Sequence, residues 1–378
     1  MMQSNETNGS PRVLISGAGF AGLTTAFWMR RLGYQATVVE TGPGLKKGGT
    51  PVDIRDETIG IVERMGILDK IRAKALPPRA TEFVNIDGGT DARMEAETPG
   101  ADGTVRSYEI HRDDLLAILF AEVENDVELL FGNSIVELTD VPGGVRASFR
   151  DGSVRDFEIV LGCDGNHSAV RRLRFGPESD YSHFLKNYFT VAIVDDTFIA
   201  PDITRILSLP GRTLMLNSYE NTTDIVLTFH ADEEIAYDYH DADEQKRILR
   251  DRFAGAGAPF TDMVEKAETA DNFYFDKLSQ IKMPAWTTGR IALVGDAGYC
   301  ASPAAGMGGS LAILGATALH DAFVAADGDI ETAFADYERL LRPTVERIQT
   351  EAVDFGVAMF FPDTEEAIQT RNAYITGN

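Results

Sequence analysis

A glycine-rich segment near the start of the chain has the residue types and spacing of a dinucleotide-binding turn. Gly17, Gly19 and Gly22 follow a short apolar strand and open an apolar segment of helical length. In such turns the first glycine permits a tight bend, the second lets a pyrophosphate approach the backbone, and the third allows close helix–strand packing. Glu40, about 20 residues further on, fits an acceptor for ribose hydroxyls. The alternative is an ordinary tight turn with Glu40 in solvent.

Two further turns share the same pattern. Asp164-Gly165 and Gly295-Asp296 each follow an apolar strand. Ligands of open α/β sheets bind outside the carboxyl ends of the strands, so one long ligand could touch all three turns. Each Asp-Gly or Gly-Asp pair alone would predict only a turn, but three such sites in this order predict a shared binding site.

The hydrophobic pattern predicts the elements that position these turns. Strands at 12–16 and 36–40 flank a helix at 20–32, which is the size of a parallel βαβ unit. Amphipathic spacing predicts further helices, and alternation with turns predicts antiparallel strands. The predicted helices are 58–75, 111–123 and 241–253, an antiparallel meander is predicted over 128–157, and further strands are predicted at 188–194, 213–216, 224–229 and 272–275.

These elements predict an α/β fold with an inserted sheet. A Rossmann-like dinucleotide-binding domain would comprise 11–180 and 277–330. An antiparallel-sheet domain at 181–276, with one or two helices, would bind the substrate. The C-terminal segment 331–378 is predicted to be helical, with a break near Pro362.

Composition excludes several classes of protein. The 35 Lys and Arg residues against 59 Asp and Glu residues give a formal charge of −24. This field repels nucleic acid and anionic membranes. Cys163 and Cys300 cannot form a disulfide framework, and nothing near them resembles a metal site. The polar start at 1–10 reads as a tail without a signal sequence, and the apolar run at 311–326 is too interrupted to span a membrane. We therefore expect a cytoplasmic enzyme.

The three turns together resemble those of the single-component FAD-dependent aromatic hydroxylases, the para-hydroxybenzoate hydroxylase family. The resemblance covers about residues 13–341 and makes the predicted dinucleotide FAD. It implies that Asp164 and Gly165 lie near the pyrophosphate and the nicotinamide approach, and that Asp296 binds a ribityl or ribose hydroxyl. Arg112 matches a family arginine that reaches the cofactor phosphates. The residues carrying this resemblance are Gly17, Gly19, Gly22, Glu40, Cys163, Asp164, Gly165, Ser168, Arg171, Gly295, Asp296, Pro303 and Gly306.

Within this family the chain is most similar to the tetracycline-inactivating monooxygenases. The similarity lies in 47–55, 280–283 and 289–300. It implies that Lys47 and Asp53 contact the cofactor and that Arg55 lies at the boundary with the substrate site.

The chain departs from the family pattern beside the expected flavin ring. Met307 and Ser310 replace the usual Gln and Asn in a segment that also includes Gly306 and Gly308, and Thr41 replaces the usual Arg after the ribose-binding Glu. The helix that begins near Gly308 would direct the positive end of its dipole at the ring and stabilise negative charge there.

The inserted sheet would supply the far wall of a substrate pocket. The candidate wall and contact residues are Arg55, Phe189, Thr190, Met215, Asn217, Phe229, Pro303 and Ala304. Simple sheet packing explains the five sheet residues equally well.

The resemblance implies a monooxygenase in which NADPH or NADH reduces FAD and molecular oxygen then hydroxylates an aromatic or polycyclic enol, with tetracycline as a candidate. We expect a monomer. One alternative is a flavin-dependent reductase or dehydrogenase, for example on a prenyl chain. Another is a flavin-binding protein without turnover. A flavin halogenase is disfavoured because the Trp-x-Trp-x-Ile-Pro segment is absent.

Overall fold

The computed structural model describes residues 10–96, 106–201, 203–219 and 221–377, so the predicted tail at 1–9 lies outside the described residues. In chain order the strands are β1 (Arg12–Ser16), β2 (Gln35–Glu40), β3 (Val52–Arg55), β4 (Ala80–Val84), β5 (Thr90–Met94), β6 (Ser107–Ile110), β7 (Glu128–Phe131), β8 (Ile135–Val141), β9 (Gly144–Phe149), β10 (Val154–Phe157), β11 (Ile159–Gly162), β12 (Ser182–Val194), β13 (Ile203–Leu209), β14 (Arg212–Ser218), β15 (Thr223–His230), β16 (Tyr274–Ile281), β17 (Thr287–Thr288) and β18 (Ile291–Leu293).

The helices connect and cover these strands. They are α1 (Phe20–Arg31), α2 (Glu57–Met65), α3 (Leu68–Arg72), α4 (Arg112–Ala121), α5 (Ala169–Arg174), α6 (Ala242–Phe253), α7 (Ala258–Thr269), α8 (Asp296–Tyr299), α9 (Gly308–Ala325), α10 (Ile330–Arg347), α11 (Val353–Phe360) and α12 (Glu365–Thr376), with a π-helical turn at Ile348–Ala352 between α10 and α11.

A largely parallel sheet forms the core of the cofactor domain. Its strand order is β17-β18-β11-β1-β2-β7, and the three strands that precede the predicted turns, β1, β11 and β18, are neighbours. Val13, Leu14 and Ile15 are fully buried, because α1 packs on β1 and β2 and the strands β9 and β10 pack against β11 and β1. The predicted βαβ unit is confirmed.

A second sheet has the order β16-β12-β15-β14-β13-β4-β5 and is antiparallel except for the parallel pair β13–β4. The mixed α/β fold with an antiparallel-rich sheet is confirmed. Two of its strands, β4 and β5, come from the segment assigned to the first domain, and β16 runs through the predicted boundary at 276. Local patterning missed this because the partners β4 and β13 are far apart in sequence.

Two other local predictions were wrong. The helix expected over 58–75 is divided into α2 and α3 because Gly66 takes a left-handed conformation (φ 81°) that ends α2. The first strand of the expected meander, β7, pairs in parallel with β2, and only β8, β9 and β10 form the antiparallel sheet. The helix predicted at 241–253 is confirmed as α6, where the Asp241 side chain accepts a bond from the Glu244 amide.

The C-terminal helices are confirmed, with the expected break between α11 and α12. Helix α9 is long and apolar enough to cross a membrane, but 61% of that stretch is buried inside the protein. It packs against α1 and α10, which is the environment of a core helix.

Candidate active site

The three predicted turns are in contact. Gly17 has a φ of 100°, and a Cβ added to it would lie 2.5 Å from the carbonyl oxygen of Cys163. A Cβ on Gly22 would overlap the carbonyl oxygen of Gly17, and one on Gly295 would lie 3.1 Å from the Cβ of Ala21 in α1. The first turn therefore touches both the second and the third, and glycine is required at these close approaches.

The surface beside the first turn is shaped for a phosphate ligand. A Cβ on Gly19, at the N-terminus of α1, would meet no atom within 4 Å, so the backbone there is open to approach. The Glu40 carboxylate is fixed beside this turn, since its Oε2 accepts the Ala18 amide at 2.9 Å and its Oε1 accepts the Gly42 amide at 2.8 Å. This geometry fits a pyrophosphate at the helix end and a ribose near Glu40.

The Asp164 carboxylate organises the second turn. It accepts hydrogen bonds from the hydroxyls of Ser16 (3.2 Å) and Ser168 (2.5 Å) and from the amides of Ala169 (2.9 Å) and Val170 (3.2 Å). Its burial raises its pKa, and these hydrogen bonds act in the opposite direction. The side chain thus holds the end of β11 against β1, and Gly165, with a φ of 77°, offers open backbone beside it.

Cationic side chains lie beside the first turn. The guanidinium of Arg112 lies 4.7 Å from the ring centre of Phe20, the first residue of α1. The Nζ of Lys46 lies 4.7 Å from the ring centre of Tyr274. Lys47 was predicted to contact the cofactor. The neighbouring Lys46, which was not predicted, is exposed like Lys47 but lies near the charges of Arg112 and Glu40. Arg112 and Lys46 thus place positive charge near the first turn.

Asp296 follows Gly295 at the end of the third strand and begins α8. Its burial raises its pKa, which the nearby charge of Arg112 partly opposes. A carboxyl group here can accept a hydrogen bond from a cofactor hydroxyl.

Hydrogen bonds join strand β3 to the start of α9 and to the loop before it. The hydroxyl of Ser310 donates to the carbonyl of Asp53 at 2.8 Å, and Arg55 Nη2 donates to the carbonyl of Gly306 at 2.9 Å. Arg55 Nη2 also lies 3.6 Å from the Asp53 carboxylate. Among the described residues the buried Arg55 Nε has no hydrogen-bond partner, so this cation retains unused donor capacity beside the predicted ring site.

A family model described as an FAD binding domain matches residues 11–345. The chain belongs to this FAD-binding family. The unpaired Arg55 Nε, the open backbone at Gly19 and the close approaches at Gly17 and Gly22 fit the adenine–flavin dinucleotide that the family binds.

Relatives extend the similarity over nearly the whole chain. An uncharacterized protein from Mycobacterium tuberculosis is 38% identical over 341 residues, covering 89% of this chain and 91% of the relative. A flavin-dependent monooxygenase from Legionella longbeachae is 33% identical over 350 residues, covering 92% and 88%. The crystal structure of tetracycline destructase Tet(51) has a TM-score of 0.84 at 30% identity, covering 97% and 96%. This family member is accordingly an oxidoreductase of the flavin-dependent monooxygenase class, as predicted.

The departures from the family pattern have local explanations. Ser310 bonds to the Asp53 carbonyl and so ties β3 to α9. The hydroxyl of Thr41 donates to Glu40 Oε1 at 3.0 Å and helps to orient that carboxylate. Met307 is partly buried and packs against the core of the cofactor domain.

The loop before α9 is supported from behind by α11. Pro303 is exposed, but Ala304 is buried, and a Cβ on Gly356 of α11 would overlap the Ala304 carbonyl oxygen. Gly308 begins α9, as expected, with open space around it. Of the two proposed substrate contacts in this loop, only Pro303 presents its side chain to the surface.

Three of the predicted wall residues lie on the sheet face that meets the cofactor domain and α11. Phe189 packs against the hydrophobic core of the cofactor domain, with its ring centre 5.6 Å from that of Tyr274. Met215 packs in a cluster with Met359 of α11. Asn217 is two residues further along the same strand, so it shares the Met215 face.

The other two wall residues lie on the opposite face. Phe229 packs in a separate hydrophobic core between the second sheet and α6, with its ring centre 5.2 Å from that of Tyr188. Thr190 is paired directly across the strands with Leu227, which is also in that core, so both share its face. Assigning Thr190 and Phe229 to the pocket wall was therefore wrong, because the alternation of the strands turns them away.

The two cysteines lie outside this chemistry. Cys163 is buried at the end of β11, and burial raises its pKa to about 12. Cys300 is also buried, and burial raises its pKa further above the ordinary value. Neither thiol is available as a nucleophile.

A polar cluster at the domain boundary was missed by the sequence analysis. Arg79, Glu109 and the pair Tyr219 and Asp224 come from three segments and meet where β6 faces the end of the second sheet. No local spacing could reveal it, because each residue alone reads as a surface charge or a strand residue.

Proposed function

We propose that this chain is an NADPH- or NADH-dependent monooxygenase that hydroxylates an aromatic or polycyclic enol, with tetracycline as the first substrate to test. The observation that carries the proposal is the contact between the three glycine turns at one edge of the parallel sheet, beside a second sheet that can cover a ring substrate. The 30% identity to a tetracycline destructase over 97% of the chain supports the choice of substrate.

Bound FAD would supply the redox chemistry, taking two electrons from the nicotinamide and delivering them to molecular oxygen. The protein's part is to hold and orient. The end of α1, Arg112 and Lys46 would bind the phosphates, Glu40 a ribose hydroxyl, and Asp296 a further cofactor hydroxyl. The N-terminus of α9, with Arg55 beside it, would stabilise negative charge on the ring.

The proposal is tested with purified holoenzyme, NADPH, tetracycline and air. We expect NADPH consumption that depends on tetracycline, loss of the drug's absorbance, and a product heavier by one oxygen atom. Substituting NADH in parallel identifies the preferred reductant. Omission of oxygen is the control, because a reductase would still consume NADPH without it.

Two results would contradict the proposal. NADPH oxidation that yields a reduced acceptor and no oxygenated product would favour the flavin-dependent reductase. A yellow protein that oxidises NADPH with neither tetracycline nor any member of a phenol and enol panel would favour a flavin-binding protein without turnover. Gel filtration tests the monomer, and fractionation of cells tests the cytoplasmic location, which both remain predictions.

A further inference from the structure

The strongest unassigned feature is the polar cluster of Arg79, Glu109, Tyr219 and Asp224, which we call the boundary cluster. It begins on β6, where Glu109 pairs directly across the ribbon with Asp53 of β3. Residues opposite each other in an antiparallel pair point to the same face, so the two carboxylates lie side by side. Asp53 is in turn adjacent to Arg55, which bonds to the Gly306 carbonyl. Glu109 therefore lies one strand away from the predicted ring site.

The rest of the cluster supports Glu109 from behind. Arg79 Nη2 donates to Glu109 Oε1, and the Arg79 guanidinium lies 4.6 Å from the ring centre of Tyr219. The Tyr219 hydroxyl donates to Asp224 at 3.2 Å, and the His111 ring centre lies 4.7 Å from that of Tyr219. These contacts join the cofactor domain to β15 of the second sheet.

Exposure distinguishes Glu109 from its neighbours. Its side chain is 29% exposed, whereas that of Arg79 is 7% exposed and Asp224 is 2% exposed. Arg79 Nε and Nη1 are buried and have no hydrogen-bond partner among the described residues. The cluster thus contains a buried cation with two unpaired donor atoms and one partly exposed carboxylate.

We propose that Glu109 is a specificity-determining residue of the active site: its carboxylate accepts a hydrogen bond from the enol or phenol hydroxyl of the substrate. This inference rests on the proposed function. The ion pair with Arg79 holds the Glu109 carboxylate in place. Together with the Asp53–Arg55 ion pair, it leaves this part of the proposed substrate site with a balanced charge. Such a site favours a ring substrate that carries hydroxyl groups over one that is wholly apolar, because an apolar ring would leave the carboxylate unpaired.

A proton-dependent signature follows from this position. Burial raises the pKa of Glu109, the Arg79 charge lowers it, and Asp53 raises it again. Tyr219, Asp224 and His111 lie behind Arg79 and complete the groups that face the cluster. Since only the carboxylate form accepts a hydroxyl hydrogen bond without also donating one, affinity for a hydroxylated ring should fall as pH falls through the pKa of Glu109.

The test measures binding of tetracycline to oxidised holoenzyme by flavin fluorescence across a range of pH, corrected for the drug's own ionisation. In Glu109→Gln we expect about tenfold weaker binding, which is the loss expected for one charge-assisted hydrogen bond. The pH dependence of affinity that comes from Glu109 should also disappear. KM should rise by a similar factor with little change in kcat. Glu82→Gln is the matched control, because Glu82 is likewise a strand carboxylate that accepts hydrogen bonds from arginine. Its donors are Arg93 at 2.7 Å and Arg205 at 3.0 Å.

The outcomes are separable. Wild-type enzyme that converts tetracycline, together with a Glu109→Gln variant that binds it normally, overturns the inference and leaves the proposed function intact. Wild-type enzyme that does not bind tetracycline overturns the polycyclic enol substrate and this inference with it. If Glu109→Gln fails to retain FAD, the wild-type pH profile decides alone, and an affinity that does not change with pH overturns the inference.

Discussion

At the scale of single residues, the site depends on glycines, whose lack of a side chain allows close approach to the backbone. Gly19 and Gly22 are three residues apart, yet they are glycine for different reasons. At Gly22 a side chain would overlap the carbonyl of Gly17, which is part of the protein itself. At Gly19 a side chain would meet no protein atom, so only a bound ligand would oppose it. The two positions therefore separate folding from cofactor binding.

This difference gives a paired prediction. Gly22→Ala should destabilise the apoprotein by about 1–3 kcal/mol, because it overpacks the turn, and should lower FAD content as a consequence. Gly19→Ala should leave the unfolding free energy of the apoprotein nearly unchanged but weaken FAD binding. Denaturant unfolding of apoprotein and titration with FAD measure the two effects. Equal loss of apoprotein stability in both variants would contradict the assignment of Gly19 to the phosphate.

A second prediction at this scale concerns His167, which follows the Asp164 turn. Its Nδ1 lies 2.9 Å from a Glu178 oxygen and its Nε2 lies 3.4 Å from an Asp276 oxygen. Hydrogen bonds to Asp276 and Glu178 raise the pKa of His167 to about 9. Because the folded-state pKa exceeds the ordinary value of 6.5, the stabilisation is fully present below about pH 6.5 and is lost as pH rises through about 9.

The unfolding free energy should therefore fall over this range by on the order of 1 kcal/mol, after allowance for solvent screening of a partly exposed group. Denaturant unfolding at a series of pH values measures the slope. His167→Gln should remove it. His230→Gln is the control, because His230 lies 3.4 Å from one carboxylate, that of Asp232, whereas His167 lies between two. A slope that persists unchanged in His167→Gln would rule out this origin.

At the scale of elements, sequence patterns located the strands and turns that carry the site because their signals are local. An apolar run that ends in glycine identifies β1, β11 and β18 without knowledge of their partners, and α9 was expected from Gly308 onward. Pairing between distant segments was not accessible in this way. β4 and β13 are separated by more than a hundred residues of intervening chain, and the boundary cluster depends on that pairing. Strand alternation shows that Phe229 and Thr190 share one face of the second sheet. It does not show which face this is, because that depends on where α6 packs.

The contact between α11 and the loop before α9 gives an element-scale prediction. In Gly356→Ala the new methyl group would overlap the Ala304 carbonyl, so α11 must move away from the loop that holds Gly306. We expect a loss of about 1–3 kcal/mol of stability and a change in the flavin absorbance spectrum. The matched control is Gly60→Ala in α2, where a Cβ would meet no atom within 4 Å. That variant should be slightly more stable, by about 0.5–1 kcal/mol, because alanine favours the helix. An unchanged flavin spectrum in Gly356→Ala would show that α11 does not support the ring site.

At the scale of the whole molecule, one ligand is expected to join segments that the chain itself connects only at long range. The turns at Gly17, Asp164 and Asp296 belong to β1, β11 and β18, and two large stretches of chain, including the second sheet, separate them. A ligand that binds all three only in the folded state stabilises that state in proportion to the logarithm of its concentration over its dissociation constant. The formal charge of −24 acts in the opposite direction through self-repulsion.

These two effects predict a stability that responds to both FAD and salt. Saturating FAD at about a hundred times its dissociation constant should add about 2.7 kcal/mol to the unfolding free energy. Sodium chloride should raise the melting temperature of the apoprotein, because it screens repulsion among the excess carboxylates. Thermal unfolding of apoprotein and holoprotein across a salt series measures both effects. A variant such as Arg112→Gln should lose much of the FAD increment while keeping the salt response, since it removes a cation that we propose binds the phosphates and leaves the overall charge excess in place. If FAD bound without raising the melting temperature, it would have no preference for the folded state, which would contradict a site formed by three turns that meet only on folding.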